Sequence, residues 1–269
     1  MELIEQFICG KKGSLAECED GIVITDFLLA VIDGATSKSD KRFMGKTGGA
    51  FAKDILSREL LQPGVESLGA GELFSALSLA IKEQSEALYP ELAYEEYPRA
   101  SVILYHRRKR EVWGYGDCQC IVNGELHTHE KAIDTLNSEL RAFYLECELL
   151  NGNTVESLLQ KDVAREHNFE HMKRQFEFEN RKSPFGYPVL NGFPIDPELI
   201  ARYVVSEGDE VVLSSDGYPE LKGTLADSEN KLKEVLEKDP LCFRMYKTTK
   251  GLVEGNISFD DRSYLRFRI

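Results

Sequence analysis

The sequence predicts an α+β fold in which antiparallel sheets are layered under pairs of helices. Three observations carry that prediction. Short β-branched and aromatic runs come in couples separated by tight turns, the pattern of hairpins and therefore of antiparallel pairing. Helical periodicity arrives in pairs between blocks of those runs, unlike the strand-helix-strand alternation of a doubly wound sheet. Finally, the 269 residues contain no Pro/Ser/Gly linker, charge block or internal repeat, so a single domain over 1–269 is expected.

Taken in order, residues 21–25 (GIVIT) and 27–32 (FLLAVI) read as the first strands, and 48–61 and 71–89 as the first helical pair. Residues 101–106 (SVILYH) and 111–116 (EVWGYG) follow as strands joined by the charged turn HRRKR. Two more short strands, CIVN and GELHTH, meet at Asn123-Gly124, the preferred pair for a type I′ hairpin turn. Residues 138–150 and 154–182 read as the second helical pair, with Gly152 closing one helix and Thr154 with Ser157 opening the next. The long charged helix over 154–182 reads equally as an insertion that sets specificity and as an amphipathic cover. Residues 180–198, dense in Gly, Pro and aromatics, read as a loop, the kind of segment on which recognition is often placed. Residues 210–215 (EVVLSS) and the final SYLRFRI supply the last strands.

A formal charge of −13 argues against nucleic-acid and anionic-membrane partners, which are repelled over a Debye length of about 8 Å. Glu2 and Glu5 stand where a signal peptide carries Lys or Arg. No stretch approaches the roughly 20 apolar residues of a membrane span. A cytoplasmic protein is expected. Six cysteines in so long a chain are too sparse for a disulfide scaffold and read as free thiols. Cys118, Cys120, His127 and His129 fall on one face of a hairpin, but a flat face suits tetrahedral zinc poorly.

Acidic residues recur at strand ends: Glu19-Asp20, Asp33-Gly34, Asp117, Asp216-Gly217 and Asp260-Asp261. Singly, each is a turn signal. Brought together on one sheet edge, their charges would repel and raise each other's pKa, a cost that a bound cation removes. Magnesium and manganese take carboxylate, carbonyl and water oxygens, and a Gly beside an Asp lets the backbone carbonyl approach the metal. Two such ions close together lower the pKa of a shared water from about 16 toward 7 and clamp a phosphoryl group.

The ordered series GSLAECED, VIDGATS, RASVILY, GYGDCQC, EGDEVVLSSDGYPEL and SFDDRSYLRF resembles the metal-dependent serine/threonine phosphatases of the 2C type, as a divergent, bacterial-like member, over nearly the whole chain. The resemblance implies two antiparallel sheets packed face to face with helices outside, an αββα sandwich. It implies Asp33 bridging two manganese or magnesium ions with the Gly34 carbonyl on one of them, and Asp216 and Asp260 on the other. Glu19 would reach the first ion through water, Asp20 would orient a metal-bound water, and Asp117 with Asp216 would form a weaker third site. Asp33 and Asp20 are thus the catalytic candidates. The substrate it implies is a phosphoserine or phosphothreonine protein, or a smaller phosphoester.

The chain also departs from the family. Leu15 occupies the place of the family's phosphate-binding arginine, leaving Lys11, Lys12 and Arg99 as candidate substrate-binding cations, although lysine lacks the bidentate fork. Ala35 stands where animal members have a histidine, and Gln119 replaces the arginine of the Gly-Asp-Ser-Arg hairpin. Two alternatives stay open. One is a catalytically idle relative that binds phosphoproteins. The other is a haloacid-dehalogenase phosphatase with Asp33 as nucleophile, which wants a second Asp where Ala35 stands and more chain after Asp260-Asp261.

Overall fold

The protein is described by a computed structural model covering residues 1–269. Ten strands form two five-stranded antiparallel sheets. One runs β1 (Glu2–Cys9), β10 (Arg262–Arg268), β9 (Glu210–Ser214), β6 (Gln119–Val122), β7 (Glu125–His127). The other runs β2 (Asp20–Ile24), β3 (Leu28–Gly34), β4 (Ala100–His106), β5 (Glu111–Tyr115), β8 (Ala201–Val204).

β3 and β4 are continuous apolar runs because both of their faces are covered. Their side chains alternate between two cores. Leu29, Val31, Ile103 and Tyr105 meet Val211, Leu213, Leu265 and Phe267 of the facing sheet. Leu28, Ala30, Ile32, Val102 and Leu104 pack instead with helices α1 (Gly48–Glu59) and α2 (Ala70–Leu88). On the far side, Ile121, Val212 and Tyr264 are covered by Tyr218, Leu221 and the start of α6 (Leu225–Lys238). Helices α3 (Ala132–Leu150), α4 (Val155–Gln160) and α5 (Val163–Lys173) cluster with Leu241 and Phe243. The α+β sandwich with helices outside is the expected fold class. No helix is long and apolar enough to cross a membrane.

The turns behave as the sequence predicts: Asn123 and Gly124 take φ of 49° and 83°, the left-handed pair of a type I′ turn. Cys120 pairs with His127 across it. His127 stacks on Tyr203 at 4.2 Å between ring centroids, and the His129 ring nitrogens lie 2.5 Å from the Cys118 carbonyl and 2.8 Å from the Tyr203 hydroxyl.

Four elements differ from expectation. β1 pairs with β10 from Glu2–Arg268 to Cys9–Arg262, yet its charged, half-exposed side chains hide a strand from a reading based on apolar runs. β8 is a short edge strand with the same disguise. The single helix over 154–182 breaks into α4, α5 and a 3-10 turn at Arg174–Phe178, because Asp162 caps α5 by accepting from the Arg165 amide at 2.9 Å. α6 was not anticipated: only Leu232 and Val235 of its interior are buried apolar residues. The stretch 180–198 is stitched into the fold, with Ala100 and Leu190 exchanging two backbone hydrogen bonds of 3.0 Å.

Candidate metal centre

Antiparallel pairing of β2 with β3 puts Asp20 opposite Asp33, and pairing of β3 with β4 puts Ser101 opposite Asp33. Between β5 and β6 the chain turns at Gly116 (φ 120°), where a Cβ would lie 2.1 Å from the Ser101 hydroxyl. Only glycine permits that approach, and it delivers Asp117 onto Ser101, whose hydroxyl donates to the Asp117 carboxylate. β9 ends at Ser214, and Asp216 follows, its amide 3.5 Å from Oδ2 of Asp33. One carboxylate oxygen from each of Asp33, Asp117 and Asp216 lies within 4.8 Å of the others. Strand ends from both sheets therefore meet on one edge.

The remaining acidic residues surround this trio. Asp260 lines the same 390 Å³ cavity as Asp117 and Asp216, but it lies outside the trio and its carboxylate contacts Lys250. Glu19 is 3% exposed. Its Oε1 accepts from Thr47 at 2.6 Å, and its Oε2 accepts from Thr36 at 2.9 Å and Lys11 at 3.3 Å. Thr47 also caps α1, accepting from the Ala50 amide at 3.2 Å, so it ties that helix to the acidic cluster. Replacing Thr47 with Ala is expected to cost about 1 kcal/mol in a urea melt, the usual worth of such a cap. Gly34 allows α1 to approach, since a Cβ there would lie 2.3 Å from the Gly49 carbonyl.

Asp20 is buried and accepts from the Ser263 hydroxyl at 2.9 Å. Asp261, to which sequence reading gave no role, clasps the loop before β2: it accepts from the amides of Lys11 at 2.7 Å and Glu19 at 2.9 Å.

Desolvation in the cleft pushes Asp20, Asp33 and Asp216 well above the ordinary carboxylate range, and neighbouring carboxylates push further. Desolvation acts on Asp117 as well, but there the Lys131 ammonium and the Ser101 hydroxyl outweigh it and hold the carboxyl below its usual value. An all-oxygen donor set in which Asp33 and Asp216 repel each other with no ion-pair partner of their own fits a hard divalent cation.

The three candidate substrate-binding cations have different fates. Lys12 turns outward to Glu17 at 2.5 Å, both exposed. Arg99 is buried against Glu179, with contacts of 2.5 and 3.1 Å, donates also to the carbonyls of Tyr94, Glu95 and Tyr97, and lies 4.2 Å from the Phe176 ring. Its donors are engaged inside the fold and none is left for a phosphate. Lys11 alone enters the acidic cleft. Two further lysines that no local motif signals, Lys131 and Lys250, enter it as well. Leu15 is 58% exposed, and Gln119 donates to the Tyr218 carbonyl at 3.3 Å.

No family model and no curated protein matches the chain. Among solved structures, the serine/threonine phosphatase PstP/Ppp of Mycobacterium tuberculosis is similar at 17% identity with a TM-score of 0.51, over 99% of this chain and 98% of that one. The serine/threonine phosphatase Stp1 of Staphylococcus aureus is similar at 13% identity with a TM-score of 0.50, over 98% and 94%. The fold is that of the 2C-type phosphatases. On this 2C-type fold the Asp33–Asp117–Asp216 cluster sits at the end of β3, in the turn between β5 and β6 and just past β9, and the cavity beside it opens along α3 and residues 246–250.

Proposed function

We propose that residues 1–269 form one catalytic domain, a cytoplasmic, metal-dependent phosphoester hydrolase acting on phosphoserine or phosphothreonine in proteins. The observation that carries this reading is the convergence of Asp33, Asp117 and Asp216 within 4.8 Å from separate strand ends. Asp33, the Gly34 carbonyl and Asp216 would hold a manganese or magnesium ion, with Asp117, Asp260 and Glu19 around them. Bound there, such ions supply Lewis acidity toward a phosphoryl oxygen and acidify water toward neutrality. Asp20, fixed by Ser263, would orient the water that such an ion activates, and the 390 Å³ cavity is of a size that receives a phosphorylated side chain. The net charge of −13 favours phosphoprotein or small phosphoester partners over nucleic acid or anionic membrane.

Manganese-dependent hydrolysis of p-nitrophenyl phosphate and of a phosphopeptide library tests the proposal. Its rival is a regulatory relative that binds phosphoproteins without turnover, favoured by the engagement of Arg99 with Glu179 and by the exposed Leu15 in place of a phosphate-binding arginine. Metal binding by calorimetry with no hydrolysis of any phosphopeptide would select that rival. A phosphoaspartate at Asp33, detected by borohydride trapping, would instead select the haloacid-dehalogenase chemistry.

Manganese should also stabilise the fold, by about 2.7 kcal/mol at one hundred times its dissociation constant. That gain should shrink on acidification. The carboxyls of Asp33 and Asp216 hold protons more tightly in the metal-free fold than in the unfolded chain, so the metal-free fold gains relative stability as pH falls toward the ordinary carboxylate range. Protons then compete with the metal for the same oxygens. Thermal melts with manganese and with EDTA, at several pH values, read both effects; a shift that grows as pH falls would contradict them.

A further inference from the structure

We propose that Lys11 and Lys250 occupy the place of a second cation, so that this chain binds a single divalent ion, between Asp33 and Asp216. The inference rests on the metal-dependent reading above and concerns how many ions the site takes.

The contacts are specific. The Lys11 ammonium lies 3.3 Å from Oε2 of Glu19, 3.4 Å from Oδ2 of Asp261 and 3.9 Å from Oδ1 of Asp260. Lys250 contacts the other oxygen of Asp260, Oδ2. Both oxygens of Asp260 therefore face an ammonium. Both oxygens of Glu19 are likewise engaged, one by Thr47 and the other by Thr36 and Lys11. Lys131 does the same at the far side of the cleft, contacting Oδ2 of Asp117 while Ser101 donates to Oδ1. The three lysine side chains are only 22%, 24% and 15% exposed, so these are enclosed partners and not flexible surface charges.

What remains is the middle of the cleft. Asp33 and Asp216 are the two clustered carboxylates with neither a lysine nor an arginine within ion-pair distance, and the Asp216 amide at 3.5 Å is the near donor to Asp33. A divalent ion placed against Asp260 would have to displace two tethered ammonium groups, whereas one placed between Asp33 and Asp216 displaces none. A cation fixed by its own chain also pays no association entropy, which favours it over a free ion for the same oxygens.

Manganese titration of the full chain, by calorimetry and by electron paramagnetic resonance, tests this without reference to activity. The wild type is expected to bind one ion and to give the six-line spectrum of an isolated manganese. Lys11→Met/Lys250→Met is expected to bind two and to show the broadened spectrum of an exchange-coupled pair. Two ions in the wild type would overturn the inference and leave the hydrolase reading standing. Absence of any bound ion would overturn both. A folded double variant, verified by circular dichroism, that still binds one ion would overturn the inference alone. The wild-type stoichiometry needs no variant, and Lys250→Gln offers a milder change should the double variant fail to fold.

Discussion

Replacing Asp33 with Asn is expected to lower manganese-dependent phosphoester hydrolysis by more than about 100-fold, beyond the 10–100-fold that disturbing an outer-shell partner of a metal costs. The reasoning is local. Asp33 sits on β3 opposite both Asp20 and Ser101, and its carboxylate belongs to the trio clustered within 4.8 Å. Asparagine keeps the shape and the strand register but removes the charge that a divalent ion needs. The same change relieves repulsion with Asp20 and Asp117, which helps to push the Asp33 carboxyl upward. The metal-free variant should therefore melt no lower than the wild type. Lost turnover with an intact melt supports the assignment; undiminished turnover refutes it.

Replacing Arg99 with Met should act oppositely, on stability first. Arg99 is 7% exposed and the Glu179 side chain is fully buried. Removing the guanidinium leaves a carboxylate with Asn191 at 2.9 Å and Tyr187 at 3.3 Å but no countercharge, a loss of about 3–5 kcal/mol for one partner of a buried pair. Urea unfolding measures it. Arg99→Met with Glu179→Met should recover most of that loss, because an apolar pair of similar volume needs no countercharge. A single variant within 1 kcal/mol of wild type would show that the pair is not enclosed as described.

The sequence made the central strands and the hairpin turns legible because burial on both faces writes long apolar runs, and left-handed turns demand Asn-Gly. It also made the acidic strand ends legible as a group, since Asp33, Asp117 and Asp216 recur beside Gly or at the close of β-branched runs. β1, β8 and α6 were illegible for one reason: each presents a solvated face, and Glu2, Glu5 and the charged run of α6 outweigh its few packed positions. The break at Asp162 was hidden because a helix cap and a helix-surface aspartate look alike in sequence. Arg99 illustrates a further limit. Its neighbours in sequence suggest an available cation, and only the distant Glu179, eighty positions away, shows otherwise. Lys131 and Lys250 carry no motif at all; their role exists only through the fold.

The clasp formed by Asp261 has a temporal meaning. It joins the amides of Lys11 and Glu19 to a residue 250 and 242 positions later, and β1 finds its partner only in β10. During synthesis at about 5–20 residues per second, the early loop must wait more than ten seconds for its anchor. The acidic cleft should accordingly reach its folded arrangement only after β10 has left the ribosome.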